Sequence, residues 1–182
     1  MPLTAKERKS LLTLARKAIE SHVRGLPATD LEPEMESPAL AEDCGAFVSL
    51  HKKGQLRGCI GTLVSDKPLY RTVEEMAISA ASMDPRFSPL RADELKDVEI
   101  EISVLSPMRE IKVIEEIEIG RHGLYVTHGS CRGLLLPQVA TEHDFDSGTF
   151  LDQTCLKAGL PGGSWKKDAK VFVFEADVFK EE

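Results

Sequence analysis

The chain has 182 residues, of which 42% are apolar and 29% are charged, and its net charge is −7. This length and balance predict a globular domain that can bury a core without disulfides or a metal. The negative charge excludes a general nucleic-acid binder, because phosphate contacts need a basic footprint. No apolar run approaches the roughly 20 residues of a membrane helix, so no membrane association is predicted.

The cysteines and the start of the chain suggest a compartment. The polar N-terminal residues predict no signal peptide. The four cysteines form no C-x-x-C pair that would indicate a zinc knuckle or a thioredoxin-like motif. We therefore predict a cytoplasmic protein with reduced thiols. The sequence also has no phosphate-binding glycine loop, no G-x-G-x-x-G that opens a helix, no G-x-S-x-G elbow and no H-E-x-x-H motif. These absences exclude a nucleotide hydrolase, a dinucleotide oxidoreductase, a serine hydrolase and a zincin, and no cofactor is predicted.

Apolar periodicity and turn residues predict the elements of the N-terminal half. These are a helix from a capping box at Thr4 and Glu7 to about Arg24, a loop over residues 26–38, a hairpin of strands 44–50 and 56–63, a helix opened by Pro68, and a strand over residues 98–104. The last strand alternates strictly, so Glu101 and Ser103 are predicted to face away from the core. A solvent-facing position is the simpler interpretation of such a glutamate.

In the C-terminal half, residues 111–119 fit either a strand or a short helix. The elements predicted after them are a turn at residues 120–123, strands at residues 124–127 and 131–137, a helix capped by Ser147 and closed by Gly159, and a final strand at residues 170–179. One face of that strand is wholly apolar and the other half apolar, which predicts a central position. Mixed helices and hairpins without a βαβ repeat predict an α+β fold, a largely antiparallel sheet with flanking helices.

The stretch at residues 56–63, Leu-Arg-Gly-Cys-Ile-Gly-Thr-Leu, is unusual for a strand because glycine weakens strand interiors. Alternation places Arg57 and Cys59 on one face, with Gly61 leaving open space beside them, and places Leu56, Ile60 and Thr62 on the other face. A guanidinium beside a thiol favours the reactive thiolate, so the first face is a candidate reactive or anion-binding surface. The alternative is a buried, unreactive cysteine in a tightly packed sheet.

The same stretch resembles the signature of the AMMECR domain family, the A protein of the AmmeMemoRadiSam systems. Residues 84–89, residues 136–140, and Lys157-Ala158-Gly159-Leu160 followed by Trp165 are similar to further family segments. The resemblance covers about residues 4–179. It implies one AMMECR domain over residues 1–182, built of two unequal lobes, with the signature stretch lining the cleft between them.

The resemblance also bears on the residues of the site. A cysteine nucleophile needs a base, and His122 lies in a turn that is similar to the family's, so Cys59 and His122 are the candidate catalytic pair. The candidate ligand-binding residues are Arg57, Gly58, Gly61, Arg86, Glu101, Ser103 and Lys157. For Arg86 the alternative is a solvated side chain at a helix end. Residues 142–146 gather several potential metal ligands, but their spacing matches no metal motif, so no metal site is predicted.

Two functions of different classes follow. In the first, the chain is an enzyme or enzyme component that binds a small anionic ligand and works beside a Memo-like protein and a radical SAM protein. It has no three-cysteine cluster motif, so it would not itself hold the iron–sulfur centre. In the second, it is a non-catalytic binding or adaptor module whose glycine-rich strand accepts a partner or an anionic ligand. An exposed Cys59 sulfur with a histidine in reach favours the first, and a sulfur sealed by apolar side chains favours the second.

Overall fold

The computed structural model describes residues 3–27 and 37–181, and it confirms an α+β fold with an antiparallel sheet. The helices are α1 Ala5–Val23, α2 Pro38–Ala41, α3 Leu69–Ser82, α4 Pro137–Glu142 and α5 Ser147–Lys157. The strands are β1 Ala46–Lys52, β2 Gln55–Thr62, β3 Val98–Leu105, β4 Arg109–Ile111, β5 His122–His128, β6 Cys131–Leu135 and β7 Lys170–Lys180. The middle of the loop predicted at residues 26–38 lies outside the described residues.

The chain divides into two compact units, and the first comprises Met1–Leu105 with Asp177–Glu182. Its strands follow the order β2-β1-β3, with the end of β7 beside β3. Helices α1 and α3 pack against each other, and α3 covers β1 and β2. The core between helices and sheet is built from side chains that include Leu11, Ile19, Leu50, Val73, Ile100 and Ile102.

Helix α1 begins where the sequence predicts it. The Thr4 hydroxyl accepts the Glu7 amide, and the Glu7 carboxylate accepts the Thr4 amide, which satisfies two free N–H groups at the helix start. The apolar residues of α1 recur on one side of the helix, and those that are buried are Leu11, Leu14, Ala15, Ala18 and Ile19. The sequence pattern therefore fixes both the start of this helix and the face that it buries.

The second unit comprises Ser106–Ala176. Here β7 pairs with β4 and with β5, and β6 pairs with β5, all antiparallel. The strand neighbours of β7 confirm its predicted central position. The core of this unit includes Leu124, Val126, Phe150, Leu151, Cys155 and Val173.

Three sequence-based expectations in this unit are corrected. His122 was predicted in a turn but begins β5, because it pairs in register with Glu175 of β7. Asp146, not Ser147, caps α5, since its carboxylate accepts the Thr149 amide at 2.7 Å. The strand predicted at residues 131–137 ends at Leu135, and Pro137 lies instead in the first turn of helix α4.

The ambiguous stretch at residues 111–119 contains parts of both predicted alternatives. It begins with the last residue of β4 and continues into a short 3₁₀ turn at Ile114–Glu116. No helix among residues 3–27 and 37–181 is long and apolar enough to cross a membrane. The assignment of residues 1–182 to one domain stays a prediction, and so does the cleft that the family resemblance implies.

Candidate functional site

The signature strand contains a β-bulge that strict alternation does not predict. Leu50 of β1 lies opposite Gly58, whereas His51 lies opposite Leu56, so Arg57 is an extra residue without a partner on β1. Residues opposite each other on paired strands share a face. Leu56 therefore lies on the face of His51, where Cys59 also projects. The expectation that Leu56 shares a face with Ile60 and Thr62 was wrong, because the bulge reverses the alternation at Arg57.

A row of polar side chains crosses three strands at Cys59. Ser49 of β1 lies opposite Cys59 on one side and Glu101 of β3 on the other. The Ser49 hydroxyl donates a hydrogen bond to the Cys59 sulfur at 3.1 Å, and Cys59 is half-buried. Ser49 was not among the site residues predicted from the sequence. The signal available was its place in the predicted partner strand, but the register that aligns it with Cys59 depends on the bulge.

The two signature glycines are explained by close packing. A Cβ on Gly58 would lie 2.2 Å from the Ala80 carbonyl oxygen of α3, so the strand touches the helix backbone there. A Cβ on Gly61 would lie 2.2 Å from the Phe47 ring. The open space predicted at Gly61 is therefore filled by Phe47, which also lies opposite Ser103. Any ligand contact at Gly58 or Gly61 stays a prediction.

Asp84 closes the outer edge of β2 at Cys59. Its buried carboxylate accepts the Cys59 amide at 2.9 Å and the Arg86 amide at 3.0 Å, and it pairs with the Arg86 guanidinium through both oxygens. The hydrogen bonds from Arg86 hold the pKa of Asp84 well below its usual range. Because the Cys59 amide points to Asp84 and away from β1, Cys59 and Ser49 form the non-hydrogen-bonded type of strand pair. Side chains lie closest in this type of pair.

Arg86 brings a cation to the strand of Cys59. Its Nη2 donates to the Cys59 carbonyl oxygen at 3.4 Å, and its guanidinium lies over the Phe87 ring at 5.5 Å. The side chain is 55% exposed, so part of the guanidinium faces solvent. Hydrogen bonds to Asp84 raise the pKa of Arg86, and the charge of Asp84 acts in the same direction. Arg86 is thus an exposed, permanently charged group at this edge.

Arg57 has a different environment. Its Nε and Nη2 donate to the two carboxylate oxygens of Glu94, at 3.2 and 2.9 Å, and its Nη1 donates to the Ser88 carbonyl at 3.0 Å. Lys52 adds a second cation to Glu94 at 2.8 Å. These bonds, chiefly those from Arg57, lower the pKa of the buried Glu94 to about 2. An anion that bound Arg57 would therefore have to compete with Glu94.

The remaining candidates, His122 and Lys157, belong to the second unit. The His122 ring is buried, and its Nδ1 accepts the Glu118 amide at 3.1 Å, so the nitrogen that would act as a base is already engaged. Lys157 ends α5 and is exposed, a favourable place for a cation beside the helix C-terminus. Since Cys59 belongs to the first unit, the Cys59–His122 pair stays a prediction.

The loop with potential metal ligands has other contacts. The His143 ring stacks on Phe145 at 5.3 Å, and Asp146 serves as the cap of α5. Within the part of the chain that the structure describes, no group of three or more His, Cys, Asp and Glu side chains is placed to hold a metal ion.

Comparison with known proteins places the chain in a family. The AMMECR1 family model matches residues 12–179. A protein of Methanosarcina barkeri is 45% identical over 186 residues, covering 98% of this chain and 92% of its own length. A protein of Methanopyrus kandleri is 45% identical over 190 residues, covering 99% and 91%. The crystal structure of the uncharacterized protein PH0010 from Pyrococcus horikoshii matches with a TM-score of 0.88 at 38% identity, covering 100% of this chain and 94% of that one. The chain therefore belongs to the AMMECR1 family, as its signature at residues 56–63 predicts.

Proposed function

We propose that this protein binds a small anionic ligand at the signature strand, with Arg86 as the anchoring cation and the Cys59 thiol in contact with the ligand. The observation that carries the proposal is the pairing of these two groups at one strand edge. Cys59 is half-buried as a residue, and the half-exposed Arg86 side chain donates a hydrogen bond to the Cys59 carbonyl.

The geometry favours Arg86 over Arg57 as the anion-binding group. Arg57 is largely buried and bonded to Glu94 through two nitrogens and to Ser88 through the third. Arg86 is held in place by Asp84 through one side of its guanidinium, which leaves its Nη1 without a partner among the described residues. A guanidinium fixed on one side and open on the other is suited to a carboxylate or phosphate group.

Alkylation with a charged and a neutral reagent tests this proposal. The same thiolate attacks the CH2 carbon of iodoacetate or of iodoacetamide and displaces iodide. The ratio of the two rates at one cysteine therefore cancels the fraction of thiolate and reports the local attraction for an anion. We expect the ratio at Cys59 to be several-fold higher in the native protein than in the urea-unfolded protein. Peptide mass spectrometry assigns the adducts. Burial raises the pKa of the Cys44 and Cys155 thiols, so both should react slowly.

Two variants separate the role of Arg86 from general electrostatics. Arg86→Gln should lower the rate ratio at Cys59 to that of the unfolded protein. Arg91→Gln is the matched control, because Arg91 also pairs with an aspartate two residues away, Asp93, and is exposed. A native ratio no higher than the unfolded one, or an equal effect of the two substitutions, would contradict the proposal.

A non-catalytic binding module is the second candidate, and one observation favours it. The hydrogen bond of the Cys59 sulfur joins the Ser49 hydroxyl, not an imidazole, and a hydroxyl is not a base for a thiol. Addition of a partner strand at Cys59 is disfavoured, since Asp84 and Arg86 already occupy the amide and carbonyl of that edge. A small molecule that co-purifies with wild type and with Cys59→Ser, but not with Arg86→Gln, would indicate binding without thiol chemistry.

The family resemblance further suggests that the ligand belongs to a modification carried out together with a Memo-like protein and a radical SAM protein. Membership of the AMMECR1 family supports this part of the proposal. Reconstitution of the three purified proteins tests it, with mass spectrometry of small molecules and of the proteins as the readout. The expected result is a product that forms with wild type and is lost with Arg86→Gln. An equal yield when this chain is left out would refute the association.

A further inference from the structure

A second surface of the first unit, separate from the signature strand, has an unusual charge. It is a groove between one face of α1, the start of β3 and the end of β7, with a volume of about 990 Å³, and we name it the α1 groove. Whereas the protein carries 23 basic and 30 acidic residues, the groove is lined by three carboxylates and six cations. The cations are Arg8, Lys9, Arg16, Lys17, Lys96 and Lys180.

The arginines of the α1 groove are part of its framework. Arg16 bonds to the Leu95 and Val98 carbonyls at 3.0 and 2.6 Å and to the Glu181 carboxylate. Arg8 pairs with Asp177 at 2.8 Å, and its guanidinium lies 5.7 Å from the centre of the Phe179 ring. These contacts join α1 to the start of β3 and to the end of β7, and they give the groove a fixed floor.

The lysines of the groove carry the uncompensated charge. Among the described residues, no ion pair or hydrogen bond involves the side chains of Lys9, Lys17 and Lys96, and Lys17 is half-buried. Arg8 also has an unsatisfied hydrogen-bond donor, because its buried Nε has no hydrogen-bond partner in the described part of the chain. Like charges gathered in a concave surface attract anions more strongly than the same charges spread over a convex one.

We infer that the α1 groove is a docking surface for an extended acidic segment of a partner protein. Lys9 and Lys17 lie on the same face of α1, eight residues and therefore about 12 Å apart. Carboxylates about four residues apart in an extended chain have a similar spacing. The apolar side chain of Leu12 lies between the two lysines and provides a contact for the partner's aliphatic groups. Charge complementarity thus identifies the partner by its chemistry, an acidic peptide.

Binding of a fluorescein-labelled oligoglutamate peptide, followed by fluorescence anisotropy, tests this inference. The expected result is saturable binding at low salt that weakens as salt is added, with no binding of an alternating Glu-Lys peptide of the same length. The triple variant Lys9→Glu/Lys17→Glu/Lys96→Glu should bind the acidic peptide about tenfold more weakly or worse.

The matched control makes the same change in net charge elsewhere. Lys53→Glu/Lys167→Glu/Lys170→Glu alters three exposed lysines that do not line the groove, and it should retain binding within about twofold. If the groove variant is unfolded by circular dichroism, the milder Lys9→Gln/Lys96→Gln replaces it and should still weaken binding. Equal losses in groove and control variants would overturn the inference. So would tighter binding of a single-stranded oligonucleotide of the same charge, which would mark a nucleic-acid surface.

Discussion

At the scale of single residues, the two arginines near Cys59 differ in their exposure and in their partners. Arg57 lies within the signature but bonds to the buried Glu94, whereas Arg86 comes from a distant loop and stays half-exposed at the Cys59 carbonyl. The difference comes from the carboxylate that each one meets. Glu94 also pairs with Lys52, so Arg57 belongs to a cluster in which both cations contact the same carboxylate. Asp84 receives the Cys59 amide instead, which ties the exposed Arg86 to the strand of the thiol.

The Glu94 cluster makes stability depend on pH in a defined window. Glu94 has a folded-state pKa of about 2 against an ordinary value of 4.5, so the unfolded chain takes up this proton first as the pH falls. Its contribution is therefore complete above pH 4.5 and is lost toward pH 2. Glu94→Gln should lower the free energy of unfolding at pH 7 by roughly 2–3 kcal/mol and flatten its decline between these pH values. Urea denaturation over a pH series measures both effects.

Other carboxylates, including Asp84, titrate in the same acidic window, so the difference between wild type and variant is the informative quantity. Asp93→Asn is the matched control, since Asp93 belongs to an exposed ion pair next to Glu94 in sequence. It should flatten the pH profile much less than Glu94→Gln does, because solvent screens the exposed pair of Asp93 with Arg91, although that pair also lowers the pKa of Asp93. A Glu94→Gln profile that runs parallel to that of wild type would show that the ion pair does not stabilise the fold.

Sequence reasoning identified the residues of this region better than their contacts. The signature, the loop at residues 84–89 and the strand of Glu101 were all located from residue patterns. The roles of Asp84 and Glu94 as partners of β2 were not predicted, because the sequence of a loop does not show which strand its carboxylates will contact. Ser49 was missed for a related reason, since its alignment with Cys59 depends on a bulge of one residue.

At the scale of elements, the packing of β2 against α3 explains the glycine of the signature. Gly58 faces the backbone of α3, where an added Cβ would lie 2.2 Å from the Ala80 carbonyl oxygen. Helix and strand can approach so closely because both surfaces are small at this point. This contact fixes the position of β2 against α3, and therefore also the position of the following residue, Cys59.

Gly58→Ala should therefore destabilise the first unit by about 1–3 kcal/mol, since neither backbone can yield without shifting its element. Gly148→Ala is the matched control, because Gly148 lies in α5 and its added Cβ would meet only Asp146 at 3.6 Å. Replacing a helical glycine by alanine should be neutral or stabilising by up to about 1 kcal/mol. Thermal unfolding of the two variants measures the contrast, and equal melting temperatures would rule out the proposed role of close packing.

Elements with strong local signals were predicted well, and elements defined by distant partners were not. Helix α1 and strand β3 follow from a capping box and strict alternation, so their bounds were close. Strand β5 begins two residues before its predicted start because β7 supplies a partner for His122. Helix α4 is only 6 residues long and has no apolar period of its own, which explains why the sequence did not reveal it.

At the scale of the whole molecule, the chain completes its first unit with its last residues. Strand β7 lies in the second unit up to Ala176, and Asp177–Glu182 returns to the first. There Phe179 is buried in the core of α1, α3 and the sheet, and Glu181 accepts the Ile100 amide at 2.9 Å while it pairs with Arg16. The first unit is therefore incomplete without these residues.

Truncation after Ala176 should weaken the first unit selectively. Loss of the buried Phe179 ring alone is worth about 3–5 kcal/mol, and loss of Glu181 leaves the Arg16 guanidinium without its carboxylate. In hydrogen exchange followed by mass spectrometry, β1 and β3 should lose protection, whereas β5 and α5 keep theirs because their partners all precede Asp177. Val178→Ala, at a position 39% exposed, should alter neither. If β1 and β3 lost no more protection than β5 and α5, residues 177–182 would stabilise the two units as one cooperative whole. That result would contradict selective stabilisation of the first unit by Phe179 and Glu181.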